Sequence, residues 1–90
     1  MPSLITLQIK LFGAFRQFQN GPVALQLPSG ISVAEVKTAL WEKLQEIKPG
    51  GADHALLNAS ALASSSSVLE ANTRLTESQS LAILPPVCGG

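Results

Sequence analysis

The sequence predicts an α+β domain in which one mixed sheet packs a face on one main helix, in the order β-β-α-β-(β)-β. Three observations carry this. Residues 4–12 and 23–27 alternate apolar and polar side chains, as half-buried strands do. Residues 32–48 repeat apolar residues at helical spacing behind a capping signal. The stretch SLAILPP near the C-terminus is apolar on both sides and stops at two prolines.

In LITLQIKLFG, Ile5, Leu7, Ile9 and Leu11 fall on one side, with Thr6, Gln8, Lys10 and Phe12 on the other. Phe12 breaks the polar side. It either folds over the core edge or sits on a surface meant for a partner. Gly13 ends this strand, and AFRQFQNGP reads as a loop with a turn at Asn20-Gly21. Val23, Leu25 and Leu27 give a second strand, antiparallel to the first.

In SGISVAEVKTALWEKLQEIKPGG, Ser32 and Glu35 have the spacing of a capping box. Val33, Val36, Leu40, Leu44 and Ile47 form an apolar stripe with Ala39 beside it, and Trp41 borders it. Glu42, Lys43 and Glu46 lie away from the stripe. Lys48 suits the negative end of the helix, and Pro49-Gly50-Gly51 stops it. HALLNASALA predicts a third short strand around Leu56 and Leu57, with a turn at Asn58. The serine-rich residues 59–72 read as an exposed excursion with a brief edge strand at Val68-Leu69, and RLTESQ as a polar turn. In the final strand Leu81, Ile83 and Pro85 face one way, Ala82 and Leu84 the other. Such a strand is central, or has its second face covered by a partner. If it lies beside the first strand, the chain leaves from the middle of the sheet.

Ninety residues make one domain, expected at 1–84 with an extended tail at 85–90. The chain is 46% hydrophobic and 13% charged, a globular composition. Zero net charge and the absence of a basic stripe argue against nucleic acid. Cys88 is the single cysteine and His54 the single histidine, so neither an internal disulfide nor a structural zinc site is expected. His54 reads as a solvated loop side chain. The N-terminus has no signal-peptide pattern, and no apolar run approaches the ~18 residues of a membrane span. A soluble cytoplasmic domain, away from membranes, is the expectation.

The tail PPVCGG carries the chemistry. Pro85 and Pro86 lack the N–H that a ladder needs, so the strand ends and the chain is held extended. Six extended residues reach roughly 20 Å. Gly89 and Gly90 have no side chains and can thread a narrow slot. The last functional group is then an α-carboxylate. Activated by ATP as an acyl-adenylate, it can be captured by sulfur as a thiocarboxylate or by an amine as an amide. A thiocarboxylate is anionic and strongly nucleophilic.

The ending LAILPPVCGG resembles the C-terminal signature of the small, sulfur-carrier subunits of molybdopterin synthase, a family ending in a strand and PPVxGG. IKLFGAFRQF is similar to that family's first strand and following loop. The resemblance implies the ubiquitin-like β-grasp fold. It implies that Gly90 is adenylated and then becomes a thioglycine, and that Pro85, Pro86, Val87, Cys88 and Gly89 thread the partner's active site. Phe12, Ile83 and Leu84 would lie near the contact with the large subunit. No cofactor is implied as resident; ATP would be used by a ubiquitin-activating-type adenylyltransferase. The large subunit would supply the catalytic groups in a heterotetramer of two small and two large subunits, and the thiocarboxylate would attack cyclic pyranopterin monophosphate. Carriers for thiamine or cysteine biosynthesis, and ubiquitin-like modifiers, are the alternatives. The sequence departs from the family pattern at Thr76–Ser80, where an Asp/Gly-rich turn is usual, in the serine-rich stretch, and at Gly13, where many members keep an aromatic. Cys88 occupies the variable position of PPVxGG and reads as a tolerated small residue.

Overall fold

The computed structural model describes residues 3–50 and 54–85, apart from the side chain of Ala14. β1 (Leu4–Leu11) and β2 (Val23–Pro28) pair antiparallel, with Leu7 opposite Leu25. Between them Gly13–Gln17 form a short 3-10 turn. β3 (Ile31–Ser32) leads into α1 (Val33–Ile47), followed by α2 (His54–Ala59). β4 (Ala61–Ala63), β5 (Val68–Leu69), β6 (Arg74–Leu75) and β7 (Gln79–Leu84) complete the chain.

The main sheet has the order β2-β1-β7-β4-β5, and β3 and β6 form a separate two-stranded ribbon. β7 runs parallel to β1, with Leu7 beside Gln79 and Leu11 beside Ile83. β4 pairs antiparallel to β7 on its other side. The last strand is therefore central, the first of the two readings its two-sided apolar pattern allows, and the chain leaves the sheet from its middle.

One face of the sheet makes the core. Ile5, Leu7, Ile9 and Leu11 of β1, Leu81 and Ile83 of β7 and Leu62 of β4 are buried together with Val33, Val36, Leu40 and Leu44 of α1. The helix begins where its sequence says. The Ser32 hydroxyl accepts from the Glu35 backbone N–H, and the Glu35 carboxylate accepts from the Ser32 N–H, closing a capping box. These bonds hold the Glu35 carboxyl below its ordinary value, through the Ser32 backbone first and its hydroxyl second.

Three local readings are corrected. Leu56 and Leu57 lie in a helix, not a strand: HALLNA contains no β-branched residue, and one turn buries Leu57 against the core. Asn58 is inside that helix and His54 starts it, its ring 4.9 Å from that of half-buried Trp41. The third strand of the sheet is instead Ala61–Ala63. The Lys37 ammonium fixes this junction by donating to the carbonyls of Asn58 (3.1 Å) and Ser60 (2.6 Å), at the negative end of α2. The loop after β1 also carries core: Phe15 and Phe18 of the 3-10 turn region are buried. Finally, the polar turn around Arg74 contains β6, whose Leu75 is buried. Val68-Leu69 does form the brief edge strand, and Ser64 tightens the turn into it by accepting from the N–H groups of Ser66 and Ser67.

Candidate functional site

The site is the place where β7 ends. Leu84 is its last residue, and the backbone of Pro85 can donate no further ladder bond. Pro85 is half-buried against the turn after β1. The contact is made possible by Gly13. Its φ is +58°, a left-handed conformation, and a Cβ built there would stand 2.6 Å from Cγ of Pro85. Any side chain at position 13 would push on the ring that begins the tail. Gly13 is thus the seat of the exit, which explains a small residue where an aromatic was expected.

The register defines the surface around this exit. Phe12 lies one residue beyond the Leu11–Ile83 pair, with an extended backbone, and so stands beside Leu84 on the face away from α1. Ala61 is the partner of Leu84 on the other side, and Ala63 is the partner of Ala82. Val68 pairs with Ala63 and is 62% exposed. These residues make a shallow apolar surface that runs across the sheet from Phe12 to Val68. Lys10 is the single charge in the five strands of the main sheet. No acidic residue precedes Glu35 or follows Glu77 in the chain.

The residues picked out from sequence divide accordingly. Phe12 is 43% exposed, which decides its two readings in favour of an available surface. Leu84 is half-buried on the same face. Ile83 is fully buried under the sheet, so its side chain is core and not contact surface; alternation with Leu84 forces this. Pro85 sits on Gly13. Pro86, Val87, Cys88, Gly89 and Gly90 lie outside the described residues. Gly13, Ala61 and Val68 were missed. Gly13 had a signal, a glycine directly after a strand, whereas Ala61 and Val68 had none without the register.

The described residues supply geometry at the exit, not a catalytic constellation. None of them groups three His, Cys, Asp or Glu side chains that could hold a metal ion. A small pocket beside β4 and β7 has Lys10, Ser64, Ser65 and Ser80 as its polar residues, and no acid is among its walls. No helix among the described residues is long and apolar enough to cross a membrane.

A five-stranded mixed sheet clasping one main helix, with the last strand at its centre, defines a ubiquitin-like β-grasp domain. The chain belongs to the ThiS family, whose model matches residues 9–90. No curated protein matches it. Among solved structures, the Haloferax volcanii HVO 2177 protein superposes with a TM-score of 0.70 at 15% identity, covering 97% of this chain and 88% of that one. SAMP1 from Haloferax volcanii gives 0.66 at 18% identity, covering 94% and 99%. A Pyrococcus furiosus protein assigned as molybdopterin converting factor, subunit 1, gives 0.63 at 17% identity, covering 92% and 99%. At these identities the likeness is one of fold.

Proposed function

We propose that the chain is the sulfur-carrier subunit of a molybdopterin synthase. The observation that carries this reading is a ThiS-family match running through Gly90, on a chain whose last strand leaves the centre of the sheet. In this reading Gly90 is the reacting residue. A ubiquitin-activating-type adenylyltransferase joins its carboxylate to AMP from ATP, releasing pyrophosphate. The terminal sulfur of a protein persulfide displaces AMP and forms an acyl disulfide, and a thiol then attacks the donor's sulfur, leaving a disulfide on the donor side and Gly90 as a thiocarboxylate. Pro85, Pro86, Val87, Cys88 and Gly89 carry it into the large synthase subunit, which holds the catalytic groups. The sulfur attacks cyclic pyranopterin monophosphate, and two deliveries build one dithiolene, in keeping with two small and two large subunits. The chain itself supplies a nucleophile and a docking face, with Phe12 and Leu84 at that face.

The likeness to a molybdopterin converting factor subunit and the PPVCGG ending support the molybdopterin pathway. The family match alone supports equally a carrier for thiamine or cysteine biosynthesis, and the fold shared with SAMP1 and with the UBL domain of Plasmodium falciparum Dsk2 suits a modifier. Co-expression with the cognate adenylyltransferase, followed by intact mass, separates them. A carrier gains the mass difference between sulfur and oxygen, and a modifier yields a ladder of conjugates. Restoration of dithiolene formation by the loaded chain with the large synthase subunit supports the molybdopterin assignment; loading without such restoration overturns it in favour of another carrier pathway.

A further inference from the structure

Resting on the reading that the tail enters a larger protein, we propose that the groove beside the exit receives a carboxylate side chain from an acidic loop of that protein, held between Lys10 and Arg16. The groove has a volume of about 560 Å³, and Lys10, Phe12, Arg16, Gln19, Asn20 and Pro22 are among its walls. Its only charges are the two cations. Among the described residues neither has an ion-pair or hydrogen-bond partner. Of the other four cations three are engaged, Lys37 with the Asn58 and Ser60 carbonyls, Lys48 with Gln17 Oε1, and Arg74 with the Gly30 carbonyl, while Lys43 projects from α1 away from this groove's walls. In sequence the acids all fall between Glu35 and Glu77, and none of them is among the walls of the groove.

Phe12 belongs both to this groove and to the apolar surface beside Leu84, so the groove continues the docking face. A partner that covers Phe12 and Leu84 brings its neighbouring side chains against Lys10 and Arg16. Covering two cations without an anion costs solvation that nothing repays, whereas a carboxylate there makes charge-assisted hydrogen bonds. Arg16 offers a planar fork that accepts a carboxylate with two parallel bonds. Opposite charge also steers the encounter and fixes the register of docking. Two cations neutralise too few phosphates to hold nucleic acid.

The test uses the whole chain and the large synthase subunit in calorimetry at low and high salt. Wild type is expected to bind more weakly as salt rises. The K10E/R16E double variant, with a melting curve like that of wild type, is expected to bind at least tenfold more weakly at low salt, and its affinity no longer falls with salt. Reversal of an acidic residue of the large subunit to lysine is expected to restore its binding. Should the double reversal unfold, K10Q/R16Q takes its place with the same expectation at smaller amplitude. Equal affinity of folded variant and wild type overturns the groove while leaving the functional reading intact. A wild-type chain that does not bind the large subunit overturns both. If millimolar inorganic phosphate shifts the Phe12 and Arg16 amide resonances while charge reversal leaves subunit affinity unchanged, the groove is a small-anion site and the proposal is wrong.

Discussion

Gly13→Ala tests how the tail is aimed. Two effects add. An alanine at φ +58° pays the left-handed penalty, about 1–2 kcal/mol. Its methyl would also meet Pro85 Cγ at 2.6 Å, where 3.4–4 Å is ordinary contact. The ring must retreat by roughly an ångström, and overpacking of this kind costs about 1–3 kcal/mol in a well-packed site. Pro85 is only half-buried and ends a strand, so part of the clash relaxes by moving the exit. A total near 2 kcal/mol is expected. With a urea dependence of about 1 kcal/mol per molar, the midpoint falls by about 2 M. Gly50→Ala is the control: φ is +75° and nothing lies within 4 Å, so it carries the backbone penalty alone. Pro85→Ala completes the cycle. It removes Cγ and leaves Cβ at 3.7 Å, an ordinary contact. Gly13→Ala should then cost at least 0.5 kcal/mol less in the Pro85→Ala background. Urea midpoints measured by circular dichroism for the four chains give the coupling. A coupling of zero, or a Gly13→Ala cost equal to that of Gly50→Ala, would refute the seat.

Leu40 is fully buried at the centre of the helix stripe, and Leu40→Ala is expected to cost about 2–5 kcal/mol in urea unfolding. Ser32→Ala removes half of the capping box and should cost about 0.5–2 kcal/mol by the same measurement. The Glu35 carboxyl is held below its unfolded value by Ser32, so its contribution is present above that unfolded value and is lost as pH falls through the lower folded one. Glu35→Gln should therefore flatten the part of the stability profile below about pH 4.5, and an unchanged acid limb would speak against the bond. Leu84→Glu places a charge on the apolar face and is expected to weaken binding to the large synthase subunit more than tenfold in calorimetry, since fully burying such a side chain is worth roughly 1.5–3 kcal/mol. A folded variant that binds like wild type would show that the tail alone carries recognition.

The hairpin, the capped helix and the central last strand were legible because each has a strong period: two in LITLQIKL, about 3.6 in VAEVKTALWEKL, and a fully apolar run in LAIL. What escaped was short or long-range. HALLNA is under two turns, and two adjacent leucines fit a strand as well as a helix. Phe15 and Phe18 are three apart, which is the spacing of a single turn, and an NG dipeptide nearby drew the segment toward a loop. The β3–β6 ribbon rests on Ile31 and Leu75, which no local pattern connects. At the site, the sequence located the exit and Phe12. It could not say that Gly13 seats Pro85, because 72 positions separate them, nor choose which side of a two-sided strand meets the helix; Ile83, which the resemblance puts near the contact, has its side chain in the core.

The central claim is that Gly90 becomes a thiocarboxylate and delivers its sulfur. The most direct measurement is intact and tandem mass spectrometry of the chain, and of the chain carrying one added alanine after Gly90, each incubated with the adenylyltransferase, ATP, a persulfide donor and a thiol reductant. The expected result is one sulfur-for-oxygen exchange in wild type, localised to Gly90, and none in the extended chain at an unchanged circular dichroism spectrum. Equal loading of both chains, or sulfur found on Cys88 and not on Gly90, would contradict the account.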